Sequence, residues 1–99
     1  MIIKEPLPDR KNVRVTFELP SSIWAERVNL VGDFNNWSTS HDEMRQANAS
    51  GKWQISLILP VGQQYQFRYL VNGNDWYNDW HADEYVSNRF GTDNSVVTT

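Results

Sequence analysis

A period of two runs through three separate stretches of this chain, and it constrains the fold more than any other feature. From Asn12 to Leu19, the residues Val13, Val15, Phe17 and Leu19 share one parity while Arg14, Thr16 and Glu18 share the other. That pattern marks a strand with one face in a core and one in water. Lys52 to Leu59 repeats it through Trp53, Ile55, Leu57 and Leu59, and a third run does so through Tyr65, Phe67, Tyr69 and Val71. Val28–Phe34 is an apolar stretch rich in β-branched residues, and Asn94–Thr98 can supply a last short strand. Pro20-Ser21-Ser22, Asn35-Asn36, Pro60-Val61-Gly62 and Asn72-Gly73-Asn74 punctuate these runs, the last with the residues that a turn at positive φ favours. Helical spacing is met only arguably over Ser22–Arg27, too short a segment to stand alone. Strands at intervals of about ten residues predict an all-β sandwich of the immunoglobulin type with about seven short strands.

The chain is 99 residues long and 39 % apolar, enough for one domain with one core. The expected division is a flexible N-terminal arm over residues 1–11, which holds Pro6 and Pro8, and a single domain over 12–99. Nine Lys and Arg against twelve Asp and Glu give a net charge of −3, which argues against nucleic acid or an acidic membrane as partner. With no Cys there is no disulfide framework and no thiolate metal or redox site. No apolar run approaches the ~20 residues of a membrane span, and Met1-Ile2-Ile3-Lys4-Glu5-Pro6 does not read as a leader, so the expectation is a soluble cytoplasmic protein.

Chemistry is thinly represented. Asp33, Asp75, Asp79, Asp83 and Glu84 form a loop-rich acidic group, but a small sandwich offers little depth for a glycosidase pair, and these residues read as solubilising surface. His41 and His81 lack metal-ligand spacing, Gly62, Gly73 and Gly91 stand singly at turns, and no nucleophile elbow is present. The expectation is a chain without catalytic residues, metal or cofactor.

Two of the five Trp sit where a sandwich does not need them. Trp37 follows Asn35-Asn36 where a strand has ended, and Trp76 lies just past the Asn72-Gly73 turn, which places both in loops. A sugar ring presents a face of C–H bonds that can lie on an indole, with hydroxyls that need hydrogen-bond partners at its edge. Taken alone, each Trp serves equally well as a lid over the end of the core. Arg68 has the opposite parity to Phe67 and Tyr69, so it projects outward from its strand. Asn72, Thr92 and Asn94 can donate to and accept from hydroxyls, and can equally be turn residues.

Together, Val28–Ser38 (VNLVGDFNNWS), Gly51-Lys52-Trp53, Pro60-Val61-Gly62, Tyr65–Gly73 (YQFRYLVNG) and Phe90–Val97 (FGTDNSVV) resemble the family 48 carbohydrate-binding modules. These are the early-set domains of isoamylase and branching-enzyme N-termini and the glycogen-binding domains of AMP-activated kinase β subunits. The resemblance implies non-catalytic binding of α-1,4-glucans such as glycogen, starch or maltooligosaccharides. Carried over position by position, it makes Trp37 and Trp76 stacking platforms, Arg68, Thr92 and Asn94 hydroxyl binders, and Phe90 an apolar wall. Arg68 stands where the kinase subunits carry Lys, which replaces a point donor by a planar fork. Trp80 is either a third platform or a cap on the sheet. The alternative function is an accessory domain of the same fold that has no sugar affinity and packs against a glycoside hydrolase or kinase partner. Strand parity alone leaves open whether Trp37 and Trp76 meet, because counting Glu43–Gln46 as a strand reverses the outcome.

Overall fold

The computed structural model describes residues 1–99, and in it the alternating runs pair into two antiparallel sheets. The strands are β1 (Ile2–Pro6), β2 (Asn12–Leu19), β3 (Val28–Gly32), β4 (Asp42–Glu43), β5 (Arg45–Gln46), β6 (Trp53–Pro60), β7 (Gln64–Val71), β8 (Asp75–Tyr77), β9 (Glu84–Ser87) and β10 (Asp93–Thr98). One sheet has the order β1-β2-β6-β5, and the other has β4-β3-β7-β10-β9, with β8 also paired to β7. The architecture is the expected all-β sandwich. It has more strands than expected because β4, β5 and β8 are only two or three residues long, too short to show a period.

The arm expected over residues 1–11 is a strand for part of its length. Ile2–Pro6 pairs with Phe17–Val13 along the free edge of β2. Only Ile2 is even half-buried in this strand, so backbone pairing holds it and no hydrophobic alternation announces it. Pro6 sits at the strand's end on the sheet edge, where a missing N–H costs least.

The core forms where the apolar parities of the two sheets meet. Val13, Val15, Phe17 and Leu19 of β2 pack with Val28 and Leu30 of β3 and with Phe67, Tyr69 and Val71 of β7. Phe17 meets Phe67 edge-on, with centroids 5.0 Å apart and planes at 70°, and Phe67 meets Tyr69 in the same manner at 5.7 Å. Edge-to-face geometry sets the positive ring edge against the negative face of its neighbour. Phe34 joins this group 5.6 Å from Phe17 and 5.9 Å from Tyr65.

One of the acidic residues read as surface lies inside. Asp79 is 1 % exposed and accepts hydrogen bonds from the Tyr69 hydroxyl and the His81 amide, both at 2.7 Å. Its own amide donates to the Ser95 hydroxyl, itself fully buried. Sequence parity says nothing about a carboxylate in a connection, whereas burial requires that such a group find donors.

Gly32 ends β3 in extended backbone, and a Cβ there would lie 2.6 Å from the Gln66 carbonyl oxygen and 2.7 Å from the Phe67 Cβ. These atoms belong to the backbone and stem of β7 and have no room to retreat. Gly32→Ala is therefore expected to cost about 3 kcal/mol and lower the midpoint of thermal unfolding by more than about 10 °C; calorimetry that found the variant within 3 °C, roughly the effect of a neutral surface change, would refute the close approach.

Burial, and after it the charge of Asp79 and the hydrogen bond to that carboxylate, push the Tyr69 hydroxyl well above its ordinary value near 10. A raised folded value contributes stability that is complete below the unfolded value and is lost as pH climbs past it. Urea titrations are accordingly expected to show stability falling above about pH 10, with a shallower fall in Tyr69→Phe.

Candidate functional site

The outer face of the β3–β7–β10 sheet carries an open groove of about 560 Å³. Arg68 reaches it because its register partner is Val31, placing it on the parity opposite Phe67 and Tyr69. Val31, Leu70 and Val96 share that outer parity and are at least 96 % buried, although none belongs to the inter-sheet core. This face is a packed floor, which simple alternation does not foretell.

Trp76 is brought to the floor by the Asn72-Gly73 turn. Asn72 at φ 53° and Gly73 at φ 75° reverse the chain, so that Asp75 pairs with Val71 and Trp76 with Leu70. The sequence pattern places Trp76 in a loop, whereas it stands on β8. The Asn72 side chain fixes the turn by accepting from the amides of Glu26 and Arg27 at 2.8 and 3.2 Å. The Arg68 guanidinium carbon lies over the Trp76 ring, 5.7 Å from its centroid.

Trp37 arrives from the other side, on the turn that follows β3. Residues Asp33–Asn35 make one turn of 3-10 helix, after which Asn36 and Trp37 both take positive φ, 56° and 57°. A bulky residue in the left-handed region is strained and persists only where its surroundings impose it. Here the Trp37 amide donates to the Gly32 carbonyl at 2.8 Å and its indole N–H donates to Asp33 Oδ1 at 2.8 Å. The other oxygen of Asp33 accepts from the Gln66 amide at 2.7 Å, so one carboxylate ties the indole to β7. Asn35 fastens the base of the turn by donating to the Leu30 carbonyl and to Asp42.

The third wall is the loop from Asn88 to Thr92. Asn88 Oδ1 accepts from the amides of Phe90 and Thr92, while its Nδ2 donates to Thr92 Oγ1 at 2.8 Å and Asn94 Oδ1 at 3.1 Å. Asn94 donates in turn to Gln66 Oε1 at 3.0 Å. Phe90 is left 78 % exposed at the rim.

Of the six residues singled out in the sequence, Trp37, Arg68, Trp76, Phe90 and Asn94 line this one groove. Thr92 does not line it; its hydroxyl is engaged inside the loop by Asn88. Trp80 is not brought to the groove either. It borders a separate cavity of about 180 Å³ beside Leu19, Pro20 and Lys52. Thr39, Asn88 and Arg89 also line the groove and were not foreseen. Asn88 is six residues from Asn94 across the β9–β10 turn, and a symmetric Asn pair around Gly91 is the only sequence cue that could have suggested it. Trp24 was not singled out, is 97 % exposed and takes no part in the groove.

Residues 7–86 match the family described as Carbohydrate-binding module 48 (Isoamylase N-terminal domain). The chain belongs to the carbohydrate-binding module 48 family. Its curated relatives include the 1,4-alpha-glucan branching enzyme of Mycobacterium ulcerans, 38 % identical over 76 residues, which cover 73 % of this chain and 10 % of that enzyme. The branching enzymes of Pseudomonas putida and Rhizobium johnstonii are 42 % and 40 % identical over 53 and 58 residues, or 50 % and 54 % of this chain and 7 % and 8 % of theirs. The module thus spans a tenth or less of the length of these relatives.

The weight that Asp33 carries can be measured. Asp33→Ala leaves the Trp37 indole N–H and the Gln66 amide without their acceptor, and urea unfolding is expected to show a loss of about 1–2 kcal/mol. Asp33→Asn, which keeps one carbonyl acceptor, should recover part of it; equal stability of all three proteins would mean that the carboxylate holds nothing.

Proposed function

We propose that this module binds α-1,4-glucans without chemically altering them. The observation that carries the reading is the convergence of Trp37, Trp76, Arg68, Asn94 and Phe90 on one open groove in a chain of this family. The two indoles offer apolar rings for the C–H faces of glucose units, and the Arg68 and Asn94 side chains offer donors and an acceptor for hydroxyls. Thr92 acts from within the loop, through the Asn88 amide that also orients Asn94. None of the eight residues lining the groove is Asp or Glu, whereas glycoside hydrolysis uses a pair of carboxylates across the scissile bond. The role is therefore one of localisation, holding an associated catalytic activity against the polysaccharide. The names of the branching-enzyme relatives accord with α-glucan as the ligand.

A shallow groove that holds a few sugar units leaves little surplus over the cost of ordering them, so dissociation constants on the order of micromolar to millimolar are expected. Titration with maltoheptaose, followed by intrinsic Trp fluorescence and by calorimetry, should give saturable binding, and cellohexaose should give none. Trp37→Ala and Trp76→Ala should each raise the dissociation constant about tenfold or more, the usual effect of truncating a central aromatic contact. An accessory domain devoid of glucan affinity would leave the fluorescence unmoved by either sugar, and unchanged affinity in both variants would remove the platforms.

A further inference from the structure

The groove holds more positive charge than a neutral sugar needs. Arg68 and Arg89 both line it, and no acidic residue does. This is a local reversal of sign in a protein of net charge −3. Neither guanidinium enters any of the four ion pairs, which join Asp79 with the N-terminus, Lys4 with Asp83, Arg14 with Glu5, and His41 with Asp42. The one carboxylate that a groove side chain hydrogen-bonds is Asp33, and both of its oxygens are taken, by the Trp37 indole and the Gln66 amide.

Each arginine is instead stacked on an aromatic ring, Arg68 over Trp76 at 5.7 Å and Arg89 over Phe90 at 5.1 Å. A guanidinium that gives its face to a ring keeps its N–H bonds in the plane, where they form a fork suited to an oxyanion. One of those donors is conspicuous. Arg68 Nε is buried and has no hydrogen-bond partner, the only buried side-chain polar atom in that condition. Native structures rarely leave a buried donor unpaired, and a charged one least of all. A sugar hydroxyl could accept a bond from either guanidinium, but an uncharged ligand would leave both cations without a counter-charge.

We propose that the groove recognises α-glucan carrying phosphate monoesters, with Arg68 and Arg89 receiving the phosphate while the indoles hold the sugar rings. This rests on the α-glucan reading and adds to it the charge of the preferred ligand. A phosphate monoester bears close to two negative charges at neutral pH and three acceptor oxygens, enough to meet both forks. Thr39 and Asn94 remain for ordinary hydroxyls, the Asn88 side chain being fully engaged within its loop.

The test uses three probes against the same protein: dextrins cut from phosphorylated amylopectin, the same dextrins after phosphatase treatment, and inorganic phosphate alone. The phosphorylated dextrins are expected to bind about tenfold more tightly than the treated ones, a ratio that falls severalfold between 50 and 500 mM NaCl as the charges are screened. In Arg89→Gln the ratio should drop to near one. Equal affinity of the two dextrins would overturn the proposal and leave the glucan reading standing, as would a ratio that survives Arg89→Gln. Tight binding of inorganic phosphate by itself would also overturn it, by making the groove an anion site indifferent to sugar. Binding of neither dextrin would remove the glucan reading and this proposal together.

Discussion

The missing side chain at Gly32 is the constraint on which the rest of the molecule depends. It lets β3 run its last residue against the carbonyl of Gln66 and the stem of Phe67 at distances no other residue tolerates. Phe34, two positions on, then reaches the aromatic group of Phe17, Phe67 and Tyr65, which locks the start of the Asp33–Asn35 turn to the core. The direction in which the chain leaves that turn decides where Trp37 goes. Core packing and site geometry are thus two consequences of one close approach, and a change at Gly32 would register in both.

Alternation carried the fold a long way. The parities of β2, β6 and β7 place Val13, Phe17, Trp53, Phe67 and Tyr69 in the interior, and there they lie. Alternation fails where a strand has nothing to bury. β1 is exposed at four of its five positions and β8 at all three, so only backbone pairing defines them. It fails again where a second apolar layer exists, because Val31, Leu70 and Val96 sit on the parity that should face water. Buried polar groups are the third blind spot: Asp79 gains its place from the Tyr69 hydroxyl and Ser95, residues 10 and 16 positions away in sequence.

The candidate site was legible in residue type and illegible in geometry. Trp37, Arg68, Trp76, Phe90 and Asn94 could be named beforehand, yet their meeting depends on two turns whose outcome is three-dimensional. One is the Asn72-Gly73 reversal that folds Trp76 back beside Leu70, and the other is the pair of positive φ angles at Asn36 and Trp37. Asn88 was invisible for a related reason. Its importance lies in which atoms its amide reaches, and no spacing rule encodes that.

The Asn88–Thr92 segment closes on itself. Four hydrogen bonds converge on the Asn88 side chain, three from within the loop and one to Asn94, and the Asn88 amide also donates to the Thr92 carbonyl. Between those anchors Arg89 and Phe90 project freely, and Gly91 at φ 80° has open space where a side chain would be. The scaffold is therefore insulated from whatever occupies positions 89 and 90. Natural divergence or laboratory libraries can rewrite the chemistry of that brim in single steps, without renegotiating the sandwich beneath.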